Sequence, residues 1–159
     1  MLAETVCCDN LFHDFIYTDI REAAPPMLRG VYTIRVRQQG EDVFAILGQA
    51  ERLLTTLDWQ IVSTKARSRL NRLTRIGACN TIYIGSAGTY TNSKNTLRGR
   101  YNEFAGRHTI MFPLWALLLN GWQLDYGWKT ADTASILEAQ IKTLYRQQHN
   151  GHLPALVQR

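Results

Sequence analysis

Apolar positions change their period several times along the chain. From Gly30 the run Val31-Tyr32-Thr33-Ile34-Arg35-Val36-Arg37 mixes branched apolar and polar residues, which favours a strand, and Gln38 to Gly40 end it. Across residues 41–57 the period becomes helical: Val43, Ile46, Leu47, Ala50, Leu53, Leu54 and Leu57 share one face, with Glu41 and Asp42 at its positive end. The short run 60–63 suits another strand, and residues 65–75 are basic and fit no single period. A strand at 81–84 is ended by Gly85-Ser86-Ala87-Gly88, and a polar stretch, 89–95, reads as a loop.

The second half begins with a predicted helix at 97–105. Pro113 suits the first turn of another helix, which Asn120-Gly121 closes. Trp122, Leu124, Tyr126 and Trp128 alternate with polar or small residues and predict a third strand. Asp132 or Thr133 starts a long helix with Ala134, Leu137, Ile141, Leu144 and Tyr145 inward, and the tail after Asn150 is irregular. Upstream, Leu11, Phe12, Phe15, Ile16 and Ile20 have helical spacing before Pro25-Pro26 breaks the chain. The expected architecture is α+β, a small three-stranded antiparallel sheet flanked by helices. One domain spans 1–159, with an N-terminal extension, 1–28, and a helical insertion, 38–80, between the first two strands.

Composition narrows the partners. Eighteen Lys and Arg against 13 Asp and Glu give a formal charge of +5, which favours a polyanion such as nucleic acid. The longest apolar run, 110–119, is too short for a membrane span and contains Pro113, so no membrane partner is expected. No secretory leader is visible, which points to the cytoplasm. Cys7, Cys8 and Cys79 are too few for a disulfide framework, and no Cys/His spacing marks a zinc site. Trp115, Trp122 and Trp128 read as core, and His149 and His152 as surface.

The residues that carry chemistry come in an order. Tyr32 lies in Gly30-Val31-Tyr32 and Tyr83 in Tyr83-Ile84-Gly85, and antiparallel pairing of these strands would present both phenols together. Arg98 and Arg100 follow on a helix, and then Glu138 stands among apolar neighbours in Ile136-Leu137-Glu138-Ala139. With tyrosine, tyrosine, arginine and glutamate on strand, strand, helix and helix, the chain resembles the GIY-YIG nucleases over residues 30–37 and 81–158. Gly30-Val31-Tyr32 stands for the first motif and Tyr83-Ile84-Gly85-Ser86-Ala87 for the second. The family's leucine and arginine, three residues apart, fit Leu97 and Arg100 best, with Arg98 as the fallback. Its metal-binding glutamate matches Glu138, with Ile141 following.

The departures are specific. The family joins its motif strands by a short hairpin, whereas residues 33–82 intervene here. Phe104 stands where many members carry a histidine, with His108 the nearest substitute, and the closing asparagine is missing, leaving Asn150 or Gln158.

The resemblance implies a DNA endonuclease in which Glu138 holds one divalent ion, Mg²⁺ or Mn²⁺. Arg100 would grip the phosphate with its planar fork, Tyr32 would orient or deprotonate the attacking water, and Tyr83 would assist. A free-standing core with its own insertion has room for a restriction-type enzyme that reads a short site. A repair or mobile-element nuclease would use the same residues, and a non-catalytic nucleic-acid-binding module is the rival from another class. Lys65, Arg67, Arg69, Arg72 and Arg75 are the candidate DNA contacts, since Ala66, Leu70 and Leu73 can hold one helical face down while the basic side chains project.

Overall fold

The strand that begins at Gly30 is the spine of the molecule. In a computed structural model that describes residues 7–57, 59–88, 95–106 and 108–158, β2 (Gly30–Gln38) is buried along most of its length on both faces. Its branched residues suit a pleated surface that is covered twice. It pairs antiparallel with β3 (Thr81–Ala87) on one side and β4 (Gln123–Thr130) on the other. The extension adds a fourth strand, β1 (Ile16–Asp19), beside β4, so the order is β1-β4-β2-β3 and the sheet is four-stranded, not three-stranded.

Among the described residues six helices pack against this sheet. One face carries α2 (Val43–Leu54), α3 (Gln60–Leu70), α4 (Leu97–Glu103) and α5 (Met111–Leu119), which meet Tyr32, Ile34, Leu124 and Tyr126 in the larger core. On the other, α1 (Asp9–Phe12) and α6 (Ala134–Gln148) close a smaller core of Phe12, Phe15, Val31, Ile84, Ile141 and Tyr145. No described helix is long and apolar enough to cross a membrane.

Local chemistry explains the elements that position the cleft. The Asp42 side chain accepts the Phe44 and Ala45 N–H groups and starts α2, whose Ile46 is buried and whose Val43, Leu47, Ala50 and Leu54 pack on the core. Leu53 and Leu57, assigned to the same face, are exposed. The insertion is helical as expected, but 60–63 is the first turn of α3 and not a strand. There Ile61 and Val62 face solvent, while Ser63, Ala66 and Leu70 continue a buried helical stripe into Leu73 of the 3-10 turn Asn71–Arg75. A pair of branched residues is outvoted by the packing of the longer pattern.

The extension departs further from its predicted helix. Phe12 and Phe15 are buried edge to face, 5.1 Å apart, but Ile16 points outward and the chain leaves as β1. Gly127 faces Tyr17 in the register, and a Cβ there would lie 2.4 Å from the tyrosine ring, so the glycine makes room for this strand. Trp122 and Trp128 are core as expected, whereas Trp115 is largely exposed. The loop predicted at 89–95 falls outside the described residues except for Asn95.

Candidate functional site

The register of β2 and β3 brings the two tyrosines together. Tyr32 pairs with Gly85 and Ile34 with Tyr83, so both phenols rise from one face, their rings stacked with centroids 5.8 Å apart. Gly85 is required by this arrangement, since a Cβ there would sit 2.6 Å from the Tyr32 ring and 2.8 Å from that of Tyr83. Gly30 is equally constrained, because its Cβ would meet the Lys129 carbonyl at 2.2 Å. Each motif glycine thus admits a neighbour that any side chain would exclude.

A cleft of about 290 Å³ opens over these rings. Tyr32, Tyr83, Arg100 and Glu138 all line it, together with Ser86, Glu103, His108 and Thr109. Strand alternation puts Ser86 on the face opposite Tyr83. The cleft therefore wraps over the edge strand β3, with the phenols on one side and the Ser86–Glu138 pair on the other, and is not confined to one face of the sheet.

Helix α4 separates its two arginines. Arg98 donates from Nε to the Pro25 carbonyl at 2.9 Å and tethers the extension. Arg100 lines the cleft and donates from Nη1 to Glu103 at 2.9 Å. Its buried Nε has no hydrogen-bond partner among the described residues. The side chain is about one-third exposed and lines the cleft, where its planar fork can meet an oxyanion ligand.

His108 takes the place beside the first tyrosine, and Phe104 packs against the imidazole with centroids 4.6 Å apart. Its Nδ1 accepts the Ile110 N–H at 3.2 Å, so the proton resides on Nε2, which lies 3.0 Å from the Tyr32 hydroxyl oxygen. Burial lowers the imidazole to about 4, and it is neutral at pH 7. Burial also holds the Tyr32 phenol well above its ordinary value, with Tyr83 and Tyr126 acting in the same direction. Tyr32 is thus held as a phenol whose oxygen accepts from His108, which favours the first of its two expected roles, orienting a water or a phosphate oxygen, over deprotonating one. Tyr83 is raised too, again chiefly by burial.

Glu138 is half-buried and accepts from two sides. Ser86 Oγ donates to Oε2, and Lys142, one turn along α6, donates to Oε1. Neither Asn150 nor Gln158 lines the cleft among the described residues.

Of the basic residues, Arg67 is ion-paired with Glu51 and Arg72 reaches the Leu156 carbonyl. Arg72 is close enough to Tyr83 to interact with its phenol, and Arg69 and Arg75 lie within electrostatic reach of Arg72, while Lys65 is exposed. Of the five, Arg72 comes near a cleft residue, Tyr83, whereas Arg75 lines a separate hollow beside Cys79 and His149.

Sequence reasoning missed the partners of its own residues. Glu103 and Lys142 were detectable as i+3 and i+4 neighbours of Arg100 and Glu138. A second cluster, Cys7, Cys8, Cys79 and His149, gave no local signal, and it corrects the reading of His149 as plain surface. Comparisons with family models, with curated proteins and with solved structures returned no match.

Proposed function

We propose that the chain is a divalent-metal-dependent endonuclease that hydrolyses phosphodiester bonds in DNA. The observation that carries this reading is the convergence on one cleft of Tyr32, Tyr83, Arg100 and Glu138, from four separate elements, with His108 from the loop between α4 and α5.

The donor set suits a hard cation. Glu138 offers carboxylate oxygens with the Ser86 hydroxyl beside them, and one of those oxygens already carries a cation, the Lys142 ammonium. Mg²⁺ or Mn²⁺ bound at Glu138 would supply Lewis acidity toward a phosphoryl oxygen and acidify a bound water. Arg100, whose side chain lines the cleft, holds the phosphate with its guanidinium and stabilises the charge that gathers as water adds to phosphorus and the P–O bond breaks. Tyr32, fixed by His108, orients the attacking water, and Tyr83 stacks against it and narrows the positions open to the substrate. Arg69, Arg72 and Arg75 neutralise flanking phosphates.

Supercoiled plasmid incubated with the protein and Mg²⁺ tests the reading, with EDTA as the paired control. Cleavage is expected with Mg²⁺ alone, and Glu138→Gln and Arg100→Lys are each expected to slow it by about 10²-fold or more. Discrete fragments would mark a restriction-type enzyme that reads a short site. Cleavage that persists in EDTA, or wild-type rates in Glu138→Gln, would overturn the mechanism. Binding without cleavage would make the chain a nucleic-acid-binding module on the same fold.

A further inference from the structure

Away from the cleft, three distant parts of the chain aim soft ligands at one point. Cys7 and Cys8 precede α1, Cys79 precedes β3, and His149 ends α6. Their four ligand atoms all lie within 4.8 Å of one another. The closest pairs are Cys7–Cys8 at 3.6 Å, Cys8–Cys79 at 3.5 Å, and His149 Nε2 to Cys7 and Cys8 at 3.3 and 3.4 Å.

Those four separations match four of the six edges of a tetrahedron of the right size, and the other two are no longer than 4.8 Å. With Zn–S near ~2.3 Å and Zn–N near ~2.0–2.1 Å, tetrahedral geometry sets sulfur–sulfur edges of about 3.8 Å and sulfur–nitrogen edges of about 3.5 Å. A disulfide between Cys8 and Cys79 would use two of the four groups and leave Cys7 and His149 converging on nothing. The imidazole is also held in the required tautomer: Nδ1 donates to the Tyr145 carbonyl at 2.7 Å, which turns the Nε2 lone pair toward the sulfurs. The ring stacks on Tyr145 with centroids 3.8 Å apart and interplanar angle 6°. Cys8 adopts a left-handed backbone, φ 69°, uncommon for a residue with a side chain, and its thiol is buried in the cluster.

We propose that Cys7, Cys8, Cys79 and His149 form a structural Cys3His site for Zn²⁺. Four protein ligands complete the coordination and leave no position for substrate, so the ion staples and does not catalyse. On binding, the three thiols release their protons to solvent and the histidine enters neutral. The ion ties the N-terminal segment to the start of β3, which carries Tyr83, and to the end of α6, which carries Glu138.

The test counts metal in the full chain, purified under reducing conditions without chelator and dialysed after incubation with zinc. One equivalent of zinc is expected, along with the visible and near-ultraviolet bands of tetrahedral thiolate coordination when cobalt(II) replaces it. Cys79→Ser should lose most of the zinc. His149→Cys should keep it and increase the sulfur-to-cobalt charge-transfer absorption as a fourth thiolate replaces nitrogen, which keeps the test decisive if Cys79→Ser does not fold. Glu138→Gln should retain zinc, separating this ion from the one proposed in the cleft. Absence of zinc and of the cobalt bands from the reduced wild-type chain would overturn the proposal. So would full zinc retention by folded Cys79→Ser, or a cobalt spectrum that does not change in His149→Cys.

Discussion

The imidazole of His108 joins two demands, because it must be buried to reach Tyr32 and neutral to accept the Ile110 N–H at Nδ1 while it donates from Nε2. Its folded value of about 4, set by burial, lies below the ordinary 6.5. Between these values the unfolded chain binds more protons, so folding stability falls as pH drops from about 6.5 toward 4 and flattens below. The full change is on the order of 3 kcal/mol. We expect His108→Gln to lose less stability than the wild type between pH 7 and pH 4, as measured by denaturant titration at each pH. Parallel curves for the two proteins would place that linkage on another group. At this scale the sequence was informative where a residue type had one use. Tyr32 and Tyr83 could be brought together in thought because antiparallel motif strands would present both phenols, and the register does so. The protonated state of Tyr32 could not be read, since it depends on rings and an imidazole delivered by other elements.

The basic segment that followed no clear period is an element in two parts, a helix and a 3-10 turn, and its arginines have unequal tasks. Arg67 is held by Glu51, whereas Arg72 lies within electrostatic reach of Tyr83 and of its fellow arginines, Arg69 and Arg75. Each phosphate contact removed lowers the slope of log K against log salt by about 0.9 on duplex DNA. Arg69, Arg72 and Arg75 changed together to Ala should therefore weaken binding and flatten that slope by about two to three units, while Arg67→Ala alone should change it by less. Fluorescence anisotropy across a salt series in metal-free buffer measures both. An unchanged slope in the triple variant would mean that DNA is held elsewhere. Helices with a long apolar stripe, such as α2 and α6, were legible because the stripe repeats. β1 was not, because four residues at a sheet edge have no repeat to read and its register is set by Gly127, more than a hundred residues away.

At the scale of the molecule, what local pattern could not reveal is what lies between distant residues. The four proposed zinc ligands are separated by up to 142 positions, and the sheet draws its strands from both ends of the chain. Closing such loops must precede any gain from pairing, which slows folding. Refolding from denaturant should show helical circular dichroism developing before the burial of Trp122 and Trp128 is seen by fluorescence, with the slower phase in the millisecond-to-second range. Simultaneous development of both signals would mean that the insertion helices do not form ahead of the sheet. The central position of β2 has a further consequence during synthesis on the ribosome. Val31 and Ile34 emerge early, but β4 lies roughly 90 residues further on, which is roughly 5–18 s at the usual rate of elongation. β3 follows roughly 50 residues after β2, so the central strand has neither of its permanent neighbours for about the first half of that interval and only one for the rest. The window in which chaperones must shield it is set by the length of the insertion and of the helices that follow.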